Sequence, residues 1–349
     1  MTATSVRDAG ATPSAREPDL RTKVDFLLRP STYPERTRYV EARETHMSWI
    51  FLTDRHAYKL KKPVRYPFLD FSTIERRRRN CEEEVRLNRR LAPDVYLKVV
   101  ALALDSDGRL CLGTGQPVDW LVKMRRLPAD RTLDYLIKTN AVSEEDIRAL
   151  ARRLTAFYRD AAKAEISTAE YRDRFQADIA ANEAALLRPN YLLEASLIAA
   201  VAAAQRRYLV VQGHRLDRRV SEGLIVEGHG DLRPEHIYLG ADPVITDCLE
   251  FNPQLRVIDP ADELAYLAME CEREGAAQIG AIVIAAYGEA SGDVPPPDLV
   301  AFYKGYRALL RAKIAISHLD ELEPRDSEKW RMRTRSYLDL ARAHIQLFG

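Results

Sequence analysis

The spacing of the apolar residues along this chain changes at Leu127-Pro128. Between residues 39 and 124, apolar and β-branched residues occur in short runs that are typical of strands. After residue 128 they recur at helical spacing, and one strand-rich segment at 224–247 interrupts the helical pattern. The sequence therefore predicts an α+β fold with a small antiparallel-sheet N-terminal lobe containing one helix, and a larger, mainly helical C-terminal lobe with an embedded β-hairpin.

The predicted boundaries follow from local composition. Residues 1–20 are small and polar and contain two prolines, so we expect a disordered leader outside the fold. Residues 21–125 are expected to form the N-terminal lobe and residues 126–349 the C-terminal lobe. Within the first lobe, the run from Ser72 to Glu75 has the form of a capping box and predicts the start of its helix, which should end before Pro93.

Composition excludes several classes of protein. The 349 residues include 53 Lys and Arg against 52 Asp and Glu, so charge gives no reason to expect a nucleic-acid partner. The four cysteines are scattered without a CxxC pair, as expected for reduced thiols, and no apolar run approaches the roughly 18 to 20 residues that span a bilayer. We therefore expect a soluble, cytoplasmic protein without a membrane partner. The oligomeric state stays open.

The densest polar cluster lies in the strand-rich segment, from His229 to His236. Two short apolar runs around a Gly-Ala-Asp-Pro turn follow it and predict a hairpin, which ends at Asp247. Such a hairpin would bring Asp231 and His236 back beside Asp247. Two carboxylates and an imidazole in one cleft could hold a divalent cation and leave one carboxylate to accept a proton.

The run HGDLRPEH, then a hairpin, then Ile-Thr-Asp, resembles the catalytic core of the aminoglycoside phosphotransferase branch of the protein-kinase-like fold. The resemblance extends to AYKLKKP in the N-terminal lobe and covers roughly residues 40–275. In detail the chain is most similar to a subgroup of uncharacterised bacterial phosphotransferases with YKxKKP, LDFST and CEEE motifs. It implies an ATP-dependent kinase that transfers the γ-phosphate to a hydroxyl of a small molecule, with residues 21–125 as the nucleotide-binding lobe.

The resemblance also implies roles for residues of the C-terminal lobe. Asp231 matches the catalytic aspartate that accepts or orients the proton of the acceptor hydroxyl, and Asp247 matches the aspartate that holds Mg²⁺ against the ATP phosphates. His229 would brace the catalytic loop. Asp262 resembles the helix aspartate that anchors this loop, although a simple helix N-terminal charge explains it as well.

In the N-terminal lobe, the mechanism needs a lysine on the phosphates and a carboxylate that positions it. Lys59 and Lys61 lie two apart in a strand and so share one face; the Ala-x-Lys pattern favours Lys59, and Lys61 stays open. In the following helix, Glu84 lies near the apolar stripe, whereas Glu82 and Glu83 point away from it. Glu84 is therefore the predicted ion-pair partner of Lys59.

Two further segments are expected to contact ATP. Backbone groups of Lys123 to Arg126, including Arg125, would bind the adenine edge, and Met124 could pack on the base. The loop from Thr45 to Ser48 is expected over the phosphates, although it contains no glycine.

His236 replaces the asparagine that the resemblance leads us to expect as second metal ligand. Mg²⁺ prefers oxygen ligands, so Mn²⁺ is a possible alternative metal. Two other hypotheses stay open: a nucleotide-binding pseudokinase with little or no activity, and a metal-dependent hydrolase with His229, Asp231, His236 and Asp247 as ligands. The identity of the acceptor is not predicted.

Overall fold

The computed structural model describes residues 18–66, 69–320 and 327–348. These residues form two compact units. The first contains the described residues up to Arg86 together with Asp94–Arg126, and the second contains Leu87–Pro93 and the described residues from Leu127 onward. The segment Leu87–Pro93, predicted within the N-terminal lobe, thus groups with the second unit.

The first unit is built on a six-stranded antiparallel sheet with the strand order β1-β2-β3-β8-β6-β7. Its elements are α1 (Leu20–Leu27), β1 (Glu41–Glu44), β2 (Ser48–Leu52), β3 (His56–Lys61), β4 (Arg65–Tyr66), β5 (Leu69–Asp70), α2 (Ile74–Asn88), β6 (Tyr96–Leu104), β7 (Leu110–Leu112) and β8 (Gln116–Arg125). Phe51, Tyr58 and Leu121 belong to its buried core. The predicted small antiparallel sheet is confirmed, but the unit contains two helices, α1 and α2, and not the one that was predicted.

Three local predictions in this unit need correction. Residues 1–17 of the predicted leader lie outside the described residues, but Asp19 caps α1, so the end of that segment belongs to the fold. Helix α2 begins at Ile74, and Thr73 rather than Ser72 caps it by accepting the backbone N–H of Arg76 at 3.3 Å. Ser72 lies one residue before the cap, and its hydroxyl donates to Asp70 at 2.6 Å. Helix α1 and strands β4, β5 and β7 were not predicted.

The second unit is mainly helical, as predicted. Its elements are α3 (Leu133–Lys138), α4 (Glu144–Asp160), α5 (Thr168–Leu186), α6 (Ala195–Val211), α7 (Gly213–Ser221), β9 (Val226–Glu227), β10 (Ile237–Tyr238), β11 (Val244–Ile245), β12 (Val257–Ile258), α8 (Pro260–Arg273), α9 (Ala277–Ser291), α10 (Pro297–Ser317) and α11 (Ser327–Ile345). Strands β10 and β11 form the predicted hairpin, with Ile237 opposite Ile245. The α+β fold class is therefore confirmed.

Helix α8 is the central helix of this unit, and its residues from Pro260 to Cys271 are all buried. It nevertheless carries the charged side chains of Asp262, Glu263 and Glu270. Buried charges are costly unless they are paired, so each of them requires a partner from another element. None of the helices in the described part of the chain is long and apolar enough to cross a membrane.

Candidate functional site

In the first unit, two lysines of β3 contact one carboxylate of α2. Lys59 Nζ lies 2.9 Å from Glu84 Oε1, and Lys61 Nζ lies 2.6 Å from Glu84 Oε2. Alternation along the strand places both lysines on the same face, as predicted. The predicted pair of Lys59 and Glu84 is therefore present, and Lys61 contacts the same carboxylate.

The two lysines differ in burial. The side chain of Lys61 is fully buried, and its ammonium lies 5.1 Å from the centre of the Phe71 ring. Lys59 keeps 13% of its side chain exposed. Of the two ammonium groups, that of Lys59 is therefore the more accessible to a ligand.

Thr45 and Ser48 close the turn between β1 and β2. The Thr45 hydroxyl donates to the Ser48 carbonyl at 3.0 Å and accepts the Ser48 backbone N–H, also at 3.0 Å. Ser48 is buried. The side chain of Thr45 thus shapes the turn through the backbone of Ser48.

At the end of β8, the backbone donors are already used within the sheet. The N–H of Arg125 donates to the carbonyl of Val95 at 2.8 Å, and that of Arg126 donates to Arg55 at 2.9 Å. The N–H groups of Arg125 and Arg126 therefore already have acceptors, and the binding of an adenine edge by backbone groups of residues 123–126 stays a prediction. Met124 is half-buried beside it.

In the second unit, the segment before β10 is anchored by Glu263 of α8. Its carboxylate accepts the backbone N–H of His229 at 3.0 Å, that of Gly230, and the hydroxyl of Tyr158 at 2.9 Å. Gly230 has a φ of 87°, a left-handed conformation that glycine adopts without steric cost. The residue that anchors this segment is therefore Glu263, and not its neighbour Asp262.

Asp262 instead pairs with Arg307 of α10. Arg307 Nε donates to Asp262 Oδ1 at 2.7 Å, and Arg307 Nη2 donates to Asp262 Oδ2 at 2.5 Å. Adjacent residues of a helix point about 100° apart, so Asp262 and Glu263 meet different neighbours. The anchoring role that the resemblance implied for Asp262 is therefore contradicted, whereas the alternative interpretation, an acidic residue in the first turn of the helix, agrees with its position in α8.

His229 braces the segment from inside. Its Nε2 lies 2.9 Å from the carbonyl of Thr246, and its Nδ1 accepts the backbone N–H of Asp231 at 3.3 Å. The ring is completely buried, and this burial lowers its pKa, which favours the neutral form that both contacts require. The structure therefore places His229 where the sequence predicted a bracing residue.

Asp231 is held between two side chains. Arg233 Nη2 lies 2.9 Å from its Oδ2, and the hydroxyl of Tyr266 donates to its Oδ1 at 2.9 Å. Burial alone raises the pKa of this carboxyl, but the charges of Arg233, His236 and Arg311 outweigh burial and bring the pKa below its usual range. Asp231 is therefore ionised at neutral pH.

The hairpin brings His236 to both aspartates. His236 Nδ1 lies 3.8 Å from Asp231 Oδ2, and His236 Nε2 lies 3.6 Å from Asp247 Oδ2. His236 Nδ1 also lies 2.9 Å from the Asp231 carbonyl, and its Nε2 lies 3.1 Å from Arg233 Nη2. The expected grouping of Asp231, His236 and Asp247 is thus present within the second unit.

Asp247 has an unusual backbone. Its φ is 63°, in the left-handed region that a residue other than glycine rarely adopts, and its side chain is 49% exposed. Strained backbone of this kind clusters at functional sites, where the surrounding structure holds it in place. The backbone thus supports an exposed carboxylate at the end of the hairpin.

A divalent cation would find one carboxylate ligand here, Asp247 Oδ2. His236 Nε2 lies 3.6 Å from it and could be a second ligand only if Arg233 Nη2, which lies 3.1 Å from this nitrogen, moved away. Within the described residues no group of three or more His, Cys, Asp or Glu side chains is arranged to hold a metal. Mg²⁺ usually has one or two carboxylates and completes its shell with phosphate oxygens and water. The residues therefore fit a cation that a nucleotide brings with it better than a cation held by the protein alone.

Three residues of this site were not singled out from the sequence. Arg233 stands two residues after Asp231, and its spacing could have suggested a contact with that carboxylate. Glu263 and Tyr266 lie on α8, about 30 residues further along the chain. No local signal indicates which face of that helix meets the Asp231 segment.

The structure is similar to solved kinases of small molecules. It matches a choline/ethanolamine kinase family protein from Mesorhizobium loti (TM-score 0.53, 16% identity, 93% of this chain and 99% of that chain). It also matches choline kinase from Cryptosporidium parvum with a TM-score of 0.55 and 10% identity, over 93% of this chain and 97% of that chain. A thermostable mutant of aminoglycoside phosphotransferase APH(4)-Ia matches with a TM-score of 0.50 and 13% identity, over 90% of this chain and 98% of that chain. The chain therefore has the protein-kinase-like fold that the motifs predicted.

Curated relatives detected by sequence are uncharacterised. Proteins of Mycobacterium bovis and Mycobacterium tuberculosis are 32% identical over 301 residues, which cover 82% of this chain and 56% of each relative. The chain thus spans little more than half the length of these relatives. No protein-family model matches it.

Proposed function

We propose that this protein is a kinase that transfers the γ-phosphate of ATP to a hydroxyl group of a small molecule. The observation that carries the proposal is the arrangement around His236, whose two ring nitrogens lie within 4.0 Å of Asp231 and Asp247. The fold supports it, since the neighbours named above are choline, ethanolamine and aminoglycoside kinases.

Asp231 would orient the acceptor. As an ionised carboxylate it accepts the hydroxyl hydrogen and directs the oxygen toward the γ-phosphorus. A bond forms between this oxygen and the γ-phosphorus while the bond from phosphorus to the β–γ bridging oxygen breaks. ADP leaves with that electron pair, and the proton passes to Asp231. Because the pKa of Asp231 is low, its main contribution is orientation, with proton transfer late in the reaction.

Asp247 and His236 would hold the metal ion. When bound, Mg²⁺ neutralises charge on the phosphates of ATP. The carboxylate of Asp247 suits Mg²⁺, whereas the imidazole of His236 suits Mn²⁺ better. Arg233 and Tyr266 keep Asp231 in place beside them.

The first unit would supply Lys59 for the phosphates. Its partial exposure leaves it accessible, and Glu84 fixes its position. The fully buried Lys61 would then hold Glu84 from the other side. Met124 would contact the adenine.

The hydrolase hypothesis is less well supported. It needs His229 as a metal ligand, but both of its ring nitrogens already contact backbone groups, those of Thr246 and Asp231. The pseudokinase hypothesis depends on His236 and is decided by the experiment below.

The fate of the γ-phosphate tests the proposal. We expect that protein incubated with γ-labelled ATP, Mg²⁺ or Mn²⁺ and a panel of small alcohols transfers label to a phosphate ester. Label that appears only as inorganic phosphate, at a rate that no alcohol changes, would favour the hydrolase. Bound ATP that stays intact with every alcohol and both metals would favour the pseudokinase.

A further inference from the structure

Three arginines from three helices surround one tyrosine of the second unit. The guanidinium carbons of Arg273 (α8), Arg311 (α10) and Arg333 (α11) lie 5.4, 5.6 and 5.9 Å from the centre of the Tyr337 ring. We call these three residues the arginine cluster. A cation over the face of an aromatic ring is attracted by the ring, so Tyr337 brings three positive charges together.

The hydroxyl of Tyr337 is fully used inside the cluster. It donates to Glu270 at 2.8 Å and accepts from Arg311 Nε and Arg333 Nη2, each at 3.4 Å. Because a phenol has one hydrogen and two lone pairs, these contacts fill its capacity. Tyr337 therefore fixes the positions of the guanidinium groups.

The acids near the cluster balance only part of its charge. Glu270 accepts from Arg273 Nε at 2.9 Å and from Arg311 Nε at 3.0 Å, and Glu274 accepts from Arg273. Arg333 contacts no carboxylate in the described part of the chain. Two carboxylates thus accept hydrogen bonds from the three guanidinium groups. The charge of Asp231 also acts on Arg311, but Asp231 is already paired with Arg233, so Arg333 has no carboxylate partner of its own among the described residues.

Several donors of the cluster are also unused. Arg333 Nε is buried without an acceptor. Arg311 donates only through Nε to the described residues, and its two terminal nitrogens have no acceptor there. Unpaired buried donors are costly, and guanidinium groups match the geometry of carboxylate and phosphate oxygens. The cluster therefore has the charge and the donors of an oxyanion site.

The cluster lies beside the proposed catalytic aspartate. Tyr266, which donates to Asp231 at 2.9 Å, is one turn from Glu270 on α8. On α10, Arg307 lies 5.2 Å from the centre of the Tyr266 ring, and Arg311 follows one turn later. One turn is about 5.4 Å, so the cluster begins about one turn along α8 from the residue that holds Asp231.

We propose that Arg273, Arg311 and Arg333 bind an oxyanion carried by the acceptor, which is therefore an alcohol bearing a phosphate or carboxylate group. This inference rests on the proposed function, in which Asp231 orients the acceptor hydroxyl. A cationic acceptor such as an amino alcohol would be repelled by the guanidinium groups, and most of all by that of Arg333.

The first test is binding of inorganic phosphate, measured by calorimetry and by the melting temperature. We expect wild-type protein to bind phosphate and R333M to bind it at least about 10-fold more weakly, because a charge-assisted contact is lost. R333K should retain part of the affinity. R335M, which removes an exposed arginine from the same helix, is the matched control and should match the wild type.

The melting temperature without phosphate separates binding from structural support. If the cluster binds an anion, R333M should melt at the same temperature as the wild type or higher, because it removes one of three like charges. Phosphate binding that is absent from the wild type, or unchanged in R333M, would overturn the anion site. A lower melting temperature with unchanged phosphate affinity would show that Arg333 is structural.

The second test compares acceptors that differ in charge: glycerol, glycerol 3-phosphate, glyceric acid and ethanolamine. Faster transfer to the phosphate or carboxylate compound, lost in R333M, supports the proposal and identifies which oxyanion is used. Equal transfer to glycerol and ethanolamine, unchanged in R333M, overturns the anion site and leaves the kinase function standing. Phosphate binding that depends on Arg333, with no transfer from ATP to any alcohol, overturns the kinase function and leaves the anion site standing.

Discussion

Replacing Asp231 with asparagine is expected to lower the rate of phosphoryl transfer by about 10²- to 10⁴-fold, the range for loss of a positioned proton acceptor. Asparagine keeps the size of the side chain and an oxygen that Arg233 and Tyr266 can still contact. It has no negative charge with which to orient and finally accept the hydroxyl proton. Single-turnover transfer to the best acceptor measures the change.

ATP binding serves as the second readout for Asp231→Asn. The affinity for ATP should stay within about 3-fold of the wild type, because the account gives Asp231 no role in holding the nucleotide. Asp242→Asn is the matched control, since Asp242 lies in the turn of the same hairpin with 81% of its side chain exposed. Full activity of Asp231→Asn would show that the assigned mechanism is wrong.

Replacing Glu84 with glutamine is expected to lower the free energy of unfolding by about 3–5 kcal/mol, the usual effect of removing one partner from a buried ion pair. The side chain of Lys61 is fully buried and that of Glu84 is 1% exposed, so water cannot take over the lost interaction. Urea unfolding followed by circular dichroism measures the loss. The transition should be assigned to the first unit with a local probe such as Trp120 fluorescence.

Glu82→Gln is the control for the Glu84 prediction. Glu82 lies on the same helix and pairs with Arg78, but both side chains are at least half exposed. Pairs of that kind contribute about 0–1 kcal/mol. A loss below about 1 kcal/mol for Glu84→Gln, equal to that of Glu82→Gln, would contradict the view that Glu84 holds both lysines.

Local patterns were sufficient to predict the fold class and part of the candidate site. The change of pattern at Leu127-Pro128 separated strands from helices, and the two short runs around the Gly-Ala-Asp-Pro turn predicted β10 and β11. Helical periodicity selected Glu84 over its two acidic neighbours. These predictions succeeded because strand alternation, turn chemistry and helix periodicity are properties of neighbouring residues.

The features that the sequence did not reveal depend on contacts between distant segments. The choice between Asp262 and Glu263 as the loop anchor is decided by the rotation of α8 against the segment at His229. The arginine cluster joins α8, α10 and α11, and nothing near any one of these arginines marks it as part of a site. The sequence also did not reveal that the N–H groups of Arg125 and Arg126 donate to Val95 and Arg55, because such contacts join distant parts of the chain.

A calorimetric titration of ATP, first with Mg²⁺, then with Mn²⁺ and then with EDTA, tests the central claim most directly. The account predicts binding that requires a metal and that weakens at least about 30-fold in Asp247→Ala, because removing one partner of a charge pair costs about 2 kcal/mol or more. Asp242→Ala should bind like the wild type. ATP binding that is the same in EDTA, or unchanged in Asp247→Ala, would contradict the assignment of Asp247 as the metal ligand and with it the proposed kinase.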